Sequence, residues 1–373
     1  MLELIRNGTA VTRADMARHT GLARSTVSQR LEPLIARRLV HEIGSSSPTG
    51  GRPGTVLAFN PGAGVLLVAD IEPTRSRLAV NDLAGLSLAE ETVAFGSTRH
   101  PEELLEQLDH RFLALLKRVG RRLVDVRGVG VAVPGPVAEA NGMAATSPHL
   151  PGWDGFPIRD WLSARYGVLT VVDKRANLMA LGEHATYWAE AEHLLFLSAG
   201  REIACGIIAA GEVCRGAQGS AGEIGHLPIA DGDGATCACG NLDCLEAVAS
   251  TTAIATRLGV DDDEVVALAR RPDADAVAAI REAGRRIGEA LGTCVSFFEP
   301  AAIVVGGELA RASQPLLAGI REQLARRSLP VGTDTIRIVS SRLGDRAALV
   351  GLTQLLTEQV LTPDEIDRSL RVA

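Results

Sequence analysis

A cluster of three cysteines and one histidine constrains this 373-residue chain more than any other feature of its sequence. Cys237, Cys239 and Cys244 fall within eight positions, and His226 lies eleven residues before the first of them. Three thiolates and one imidazole are the donor set of a closed tetrahedral zinc site. The alternative is three cysteines that happen to share a surface loop, but exposed free thiols are reactive. The sequence therefore predicts one structural Zn²⁺ bound by these four residues.

Length and composition are those of a globular protein with two or three domains. Hydrophobic residues make up 46% and charged residues 22%, which is typical of an ordered chain. No apolar run reaches the roughly 18 residues that a membrane-spanning helix requires. The N-terminus has the pattern of a charged helix and not of a signal peptide. We expect a cytoplasmic protein without a membrane partner, since a reducing compartment suits cysteines that bind metal.

Charge is distributed unevenly along the chain. Residues 1–60 contain eight arginines and four acidic residues, a formal charge of +4. The whole chain has a formal charge of −7, so the rest carries −11. A basic head on an acidic body indicates a polyanionic partner for the head alone.

The basic head has the pattern of a helix-turn-helix. Thr12 and Asp15 predict a capping box at the start of one helix, and Gly21 separates it from a second helix that begins at Arg24. Apolar residues recur along the second helix at spacings of three and four, which leaves a polar face. This face carries small polar and arginine side chains that suit base edges and phosphates in a major groove, namely Arg24, Ser25, Thr26, Ser28, Gln29 and Arg30.

A β-hairpin is predicted to complete the head. Residues 39–43 and 55–59 read as two strands, and the Ser/Gly/Pro-rich loop between them carries Arg52. Pro33 is expected to bend the second helix beyond the DNA-contacting turns. The alternative is a small helical oligomerisation domain, which would not need an arginine at a glycine-rich hairpin tip. The pattern favours a DNA-binding winged helix.

After residue 62, predicted strands and helices alternate in two similar blocks. This pattern predicts two α/β lobes with a cleft between them. We expect a DNA-binding domain over residues 1–62, a first lobe over 63–180 and a second lobe over 181–373. The last predicted helix, residues 347–360, is expected to pack back onto the first lobe.

Taken together, these segments resemble the ROK family of bacterial repressors, open-reading-frame proteins and sugar kinases. The resemblance implies a winged helix followed by the two-lobed, ribonuclease H-like α/β fold of actin-like ATPases. It also implies that Glu223 and Glu246 accept hydrogen bonds from sugar hydroxyls, and that His226 binds zinc beside the sugar. Glu223 could instead be a capping or surface acid, and Glu246 could simply open the next helix. The motifs that carry the resemblance are Thr49-Gly50-Gly51-Arg52-Pro53, Pro134-Gly135-Pro136-Val137, Leu150-Pro151-Gly152-Trp153 and Gly222-Glu223-Ile224-Gly225-His226.

The chain departs from the kinase pattern of this family at three places. Where the family has Glu-Asn-Asp-Ala-Asn, this chain has Asp173-Lys174-Arg175-Ala176-Asn177, so the position of the catalytic base is Arg175. A guanidinium stays protonated and cannot accept the hydroxyl proton. Two phosphate loops are also altered, and only Gly306-Gly307 on the adenosine side is retained. These loops read Asp70-Ile71-Glu72-Pro73-Thr74 and Ser198-Ala199-Gly200-Arg201-Glu202 in place of Asp-x-Gly-Gly-Thr and Thr-x-Gly-Thr-Gly.

Two interpretations of the new cations remain open. Lys174 and Arg175 could bind an anionic effector such as a sugar phosphate or sugar acid. They could equally pair with Glu223, Asp173 or Glu72 and fill the site, since buried charges are usually paired.

The leading hypothesis is a transcriptional regulator, most simply a repressor, that senses a sugar or sugar derivative through a former kinase domain. It would bind operator DNA as a homodimer or homotetramer and would not be an enzyme. One alternative is an active ATP-dependent sugar kinase with an attached DNA-binding head. Another is a repressor whose input is a protein partner.

Overall fold

A computed structural model describes residues 1–45, 55–72, 75–94, 100–138, 142–144, 148–230, 232–327 and 336–371. Most of the predicted hairpin tip, including Arg52, lies outside these residues, as do Pro73 and Thr74 of one altered phosphate loop. Within the described ranges, no helix combines the length and apolar character needed to span a membrane.

The head consists of three helices and an antiparallel hairpin. The Thr12 side chain accepts from the Asp15 amide and Asp15 accepts from the Thr12 amide, so the predicted capping box is present. Helix α3 runs through Pro33 without interruption. Its buried residues, Val27, Leu31 and Leu34, form the core of the head together with residues of the other helices and the hairpin. The elements are α1 (Leu2–Arg6), α2 (Arg13–Thr20), α3 (Arg24–Ala36), β1 (Val40–Ser45) and β2 (Thr55–Phe59).

The body contains two five-stranded sheets of the same topology. In each sheet three consecutive strands form an antiparallel meander, and two further strands add in parallel beside the first strand of that meander. The first sheet has the order β5-β4-β3-β6-β9 and the second has the order β12-β11-β10-β13-β14. The strands of the first are β3 (Val65–Ile71), β4 (Ser76–Asp82), β5 (Ser87–Val93), β6 (Val126–Val133) and β9 (Leu169–Lys174). Those of the second are β10 (Leu194–Ala199), β11 (Ile203–Ala209), β12 (Glu212–Val213), β13 (Ala302–Gly306) and β14 (Arg337–Ser340).

The remaining elements cover the two sheets. A short hairpin of β7 (Val137–Ala138) and β8 (Met143–Ala144) follows β6. The helices on the first lobe and between the lobes are α4 (Pro101–Arg118), α5 (Ile158–Tyr166) and α6 (Arg175–Tyr187). Those of the second lobe are α7 (Leu245–Ala249), α8 (Thr251–Leu258), α9 (Asp262–Arg270), α10 (Ala274–Phe298) and α11 (Ser313–Arg327). Two final helices follow, α12 (Ala347–Val360) and α13 (Pro363–Arg371).

Helices α6 and α12 connect the two lobes. α6 packs on β10 and β11 of the second sheet, α12 packs on β3 and β6 of the first, and the two helices cross in close contact. A Cβ on Gly351 would lie 1.9 Å from the Leu178 carbonyl oxygen, so only glycine permits this approach of the backbones. The helix predicted over residues 347–360 therefore does pack on the first sheet, but α13 follows it and it is not the last. α6 also crosses position 180, and the predicted domain limits at 62 and 180 stay predictions.

The head rests on the body near the chain's C-terminus. Leu39 of the head, Leu83 of the first lobe, Val360 and Ile366 belong to one continuous hydrophobic cluster. These same four side chains line a small cavity of about 40 Å³. The C-terminal helices thus contact both the cleft helix α6 and the head.

Candidate effector and metal site

The four predicted metal ligands lie together in the second lobe. Their donor atoms all lie within 4.8 Å of one another. The distance from Cys237 Sγ to His226 Nδ1 is 3.7 Å, and that from Cys239 Sγ to Cys244 Sγ is also 3.7 Å. A tetrahedron with zinc–sulfur bonds of about 2.3 Å has sulfur–sulfur edges of about 3.8 Å. The spacing of the donors therefore fits a single tetrahedral ion.

Burial opposes ionisation of two of the three thiols. Burial raises the pKa of Cys244 to about 12, and it also raises the pKa of Cys237. The exposed Cys239 differs, because the Asn241 amide lowers its pKa. A bound divalent cation ionises its coordinating thiols outright. Such an ion would supply the charge stabilisation that the buried thiols lack.

Backbone packing explains why Glu223 and His226 occur in a glycine-rich segment. Gly222 has φ +86°, and a Cβ there would lie 2.1 Å from the Cys205 carbonyl oxygen. The Gly222 carbonyl in turn accepts a 2.7 Å hydrogen bond from the Cys205 amide on β11. Glycine therefore lets the segment lie directly on the sheet. This contact fixes the turn that presents Glu223 to the cleft and His226 to the cysteines.

Glu246 opens α7, as the alternative interpretation expected, and its carboxylate also takes part in the cleft. Its Oε2 accepts from the Ile203 amide at 2.9 Å, and its Oε1 lies 3.1 Å from His149 Nε2. Burial opposes the charge on both groups, but their mutual hydrogen bond lowers the pKa of Glu246 and raises the pKa of His149. His149 belongs to the first lobe and Glu246 to the second. The pair therefore bridges the cleft.

Two further ion pairs bridge the lobes at the end of β9. Lys174 donates to Glu223 Oε1 at 3.0 Å and also to the Ala221 carbonyl. Arg215 Nη2 lies 2.7 Å from Asp173 Oδ2. The Lys174 side chain is only 1% exposed and the Asp173 side chain 6%. Both charges are thus held inside the protein by a partner from the opposite lobe.

Arg175 pairs with the two acids of the first altered phosphate loop. Its Nε lies 2.9 Å from Asp70 Oδ1, and its Nη2 lies 2.9 Å from Glu72 Oε1. Asp70 is completely buried, and its Oδ2 has no hydrogen-bond partner among the described residues. Burial raises the pKa of Asp70 to about 6 although the Arg175 guanidinium acts to lower it. Arg175 is thus a cation paired with two carboxylates.

The second altered loop also turns a carboxylate toward the phosphate side of the cleft. Glu202 accepts a 2.8 Å hydrogen bond from the Gly135 amide of the first lobe, and burial raises its pKa. Glu72 and Glu202 occupy equivalent turns, each between the first two strands of its sheet. The space left between them is a cavity of about 40 Å³, enough for a few waters. A larger cavity of about 360 Å³, lined by Arg75, Asp262 and others, remains open farther along the cleft.

The polar face of α3 is available for a partner. Arg24, Ser25, Gln29 and Arg30 are exposed, and Thr26 and Ser28 are partly exposed. Within the described part of the chain, none of these six side chains forms a hydrogen bond or ion pair. The arrangement presents donors and acceptors along one helix edge, as a recognition helix requires.

Comparisons with known proteins identify the family. The ROK family model matches residues 68–359, and the chain therefore belongs to the ROK family. The xylose repressor of Caldicellulosiruptor bescii is 26% identical over 97% of this chain and 95% of its own length. The crystal structure of a ROK family transcriptional regulator, a homologue of the Escherichia coli MLC protein, covers 100% of this chain and 97% of its own with a TM-score of 0.80 and 22% identity. A ROK glucokinase from Streptomyces griseus, solved with glucose and AMPPNP, covers 79% of this chain and 100% of its own, with a TM-score of 0.70 and 26% identity.

These findings confirm the predicted fold class, a winged helix followed by a two-lobed α/β fold shared with ROK sugar kinases. The predicted effector residues Glu223, Glu246 and Lys174 come together in one cleft, and Arg175 lies on its phosphate side. The geometry matches the interpretation in which Lys174 and Arg175 pair with cleft acids. Binding of an anion there stays a prediction.

Sequence reasoning did not identify His149 or Arg215 as parts of the cleft. His149 directly precedes the Leu150-Pro151-Gly152-Trp153 motif, which was the available signal. Arg215 lies among glycines and small residues without a recognisable pattern.

Proposed function

We propose that this chain is a sugar-responsive transcriptional repressor that uses the ROK body as a sensor and the winged helix to bind operator DNA. The observation that carries the proposal is the extent of the match. The xylose repressor aligns over 97% of this chain, whereas the glucokinase structure accounts for 79% of it. The chain thus has the length of a regulator and carries an exposed polar recognition helix.

The cleft supports sensing without phosphoryl transfer. A kinase requires a base beside the attacking hydroxyl and backbone donors around the phosphates. Here Arg175 stands at the base position, and the carboxylates of Glu72 and Glu202 line the phosphate side. The cavity between them measures about 40 Å³, and the two arginines that also line it, Arg175 and Arg201, already pair with Glu72 and Asp262.

Recognition of a sugar would rest on the other half of the site. Glu223 and Glu246 face the cleft beside the cysteine cluster, and carboxylates accept pairs of sugar hydroxyls well. A structural zinc on His226, Cys237, Cys239 and Cys244 would hold both ends of the loop that presents these acids. The effector is a sugar, sugar phosphate or sugar acid.

Helices α6 and α12 supply a route from the cleft to the DNA-binding head. α6 begins at Arg175, in the cleft, and crosses α12 where Gly351 allows backbone contact. The end of α12 and α13 reach the head at Leu39 through Val360 and Ile366. A change in lobe closure would therefore move the surface of α12 and α13 on which the winged helix packs. Binding of a two-fold operator would require at least a homodimer.

The test measures DNA binding by the full chain. Duplexes enriched from a random pool are titrated by fluorescence anisotropy over a range of salt concentrations. We expect sequence-specific binding whose affinity falls steeply with salt, and Arg24→Ala with Arg30→Ala should reduce the salt slope by about 0.9 for each lost phosphate contact. Arg281→Ala, which removes an exposed arginine of the second lobe, is the matched control. Absence of sequence-specific binding at every salt concentration would refute the proposal.

An active sugar kinase with an attached DNA-binding head is the second candidate. It is favoured by the glucokinase match and by the open cavity of about 360 Å³. A coupled assay for ADP release with ATP and a panel of sugars decides between the two. Turnover that is abolished by Asp173→Asn or Asp70→Asn would establish the kinase, and we expect none.

A further inference from the structure

Three charged contacts join the two lobes across the sugar side of the cleft. They are His149 with Glu246, Lys174 with Glu223, and Asp173 with Arg215. One partner of each contact lies in the first lobe, either before α5 or at the end of β9. The other partner follows β12 in the second lobe. None of these six side chains is more than 20% exposed.

Two of these contacts use the acids that would receive a sugar. Glu223 Oε1 is engaged by Lys174, and both oxygens of Glu246 are engaged, one by His149 and one by the Ile203 amide. A ligand that hydrogen-bonds to these carboxylates must share or replace the existing donors. Lys174 and His149 come from the first lobe, so their displacement also loosens the connection between the lobes.

We propose that these three pairs form an interlobe latch that holds the cleft shut without ligand and that an effector must displace. The effector part of this proposal rests on the proposed function, whereas the latch itself does not. Ligand binding then becomes an exchange of internal charged contacts for ligand contacts. A ligand shifts the equilibrium between the closed and open cleft only by the difference in its affinity for the two states. A sugar must therefore gain more free energy from its contacts in the cleft than the latch contacts provide, and sugars that bind weakly do not displace the latch.

The Gly135 amide is a direct reporter of closure. It belongs to the first lobe and donates to Glu202 of the second at 2.8 Å, so it is protected only when the lobes meet. The Ile203 amide, which donates to Glu246 within the second lobe, reports the integrity of that lobe alone.

Hydrogen exchange of the zinc-loaded full chain, read at single-residue resolution, tests the latch. In His149→Ala/Arg215→Gln we expect Gly135 to exchange about ten-fold faster than in the parent, with amides of β3 and β10 unchanged. Arg281→Gln removes an equally charged side chain from an exposed pair with Glu322 and should change nothing. Exchange at Gly135 equal to that of the parent would overturn the latch.

If the double variant loses protection throughout β3 and β10, the exchange of Gly135 is measured in His149→Ala alone, with the same expected and contradicting results.

Calorimetry with D-xylose, D-glucose and N-acetyl-D-glucosamine tests whether a ligand displaces the latch contacts. Any of these sugars that binds the parent should bind the variant about ten-fold more tightly. An unchanged Kd would overturn the proposal that the ligand must displace the latch. Faster exchange at Gly135 while no sugar binds either protein would leave the latch supported and count against the sugar effector of the proposed function.

Discussion

Replacing Arg175 with methionine should destabilise the protein through the charges that it leaves behind. The arginine side chain is 13% exposed and pairs at 2.9 Å with both Asp70 and Glu72. Asp70 is completely buried, and its second oxygen has no hydrogen-bond partner among the described residues. Methionine retains much of the apolar stem but removes the guanidinium that pairs with both carboxylates. Glu72 keeps its contact with Arg75, whereas Asp70 is left without an ion pair among the described residues.

The expected magnitude follows from the burial of the pair. Removing one partner of a buried ion pair typically costs about 3–5 kcal/mol, because the remaining charge stays desolvated. Urea unfolding followed by tryptophan fluorescence measures the loss, since Trp153 and Trp161 pack in or against the core of the first lobe. Arg281→Met is the matched control, and loss of its exposed pair with Glu322 should cost less than about 1 kcal/mol.

The deficit should depend on pH in a defined direction. Burial already raises the pKa of Asp70 to about 6 in the presence of Arg175, and loss of the guanidinium raises it further. A carboxyl whose folded-state pKa is raised stabilises the fold below its unfolded pKa, and this contribution is lost as pH rises through the folded pKa. Asp70 is protonated below about pH 6 in both proteins. Above that pH Asp70 of the parent is ionised and the parent loses no further stability through this group, whereas Asp70 of the variant stays protonated and the variant continues to lose stability. The deficit should therefore grow from pH 6 to pH 8, by at most about 1.4 kcal/mol for each pH unit.

A second substitution separates the lost charge pair from lost packing. Asp70→Asn removes the buried charge, so the Arg175→Met/Asp70→Asn protein should recover most of the stability at pH 8 and lose the pH dependence of the deficit. A free energy of unfolding of Arg175→Met within about 1 kcal/mol of that of the parent would contradict the role of the buried charges. A stability deficit that is constant from pH 6 to pH 8 would contradict it as well.

Two other substitutions test the metal centre and the helix crossing. The parent should contain close to one zinc per chain by mass spectrometry of the metal. Cys239→Ser should lose it while basal DNA binding persists, because the head does not contribute a ligand; full zinc content in the variant would refute the site. Gly351→Ala should lower the free energy of unfolding by at least about 1 kcal/mol, since its Cβ would overlap the Leu178 carbonyl oxygen. The free-energy cost of this overlap exceeds the gain in helix propensity from glycine to alanine. A variant as stable as the parent would contradict the close crossing.

Local patterns predicted the elements of this fold well because each pattern had a local cause. The capping box of Thr12 and Asp15 and the strand over residues 55–59 depend on neighbours a few positions away. The cysteine cluster could be predicted for the same reason, since all four donors lie within 19 consecutive residues. The helix after residue 360 was missed, because its apolar contact at Ile366 is made with the head and not within its own segment.

The pairing of charges in the cleft could not be predicted with the same success. Arg175 meets Asp70 and Glu72 across more than 100 positions of sequence, and His149 meets Glu246 across 97. Sequence alone left open whether Lys174 and Arg175 contact a ligand or pair with acidic side chains of the protein. The outcome depends on how closely the two lobes approach. The structure pairs Lys174, whose side chain is only 1% exposed, with Glu223, because a buried polar group needs a protein partner. Binding of an anion stays a prediction.

The charges around Arg175 form one connected set. Arginine at the position of the base would be an isolated buried cation without Asp70 and Glu72, and those acids would repel each other without Arg175. Restoring an aspartate at position 175 would therefore place a third carboxylate beside two others and should not restore phosphoryl transfer. It would raise the pKa of Asp70 further and loosen the first lobe. On the proposed function, phosphoryl transfer would require simultaneous changes at 72, 175 and 202, because these three charged side chains line the same small cavity.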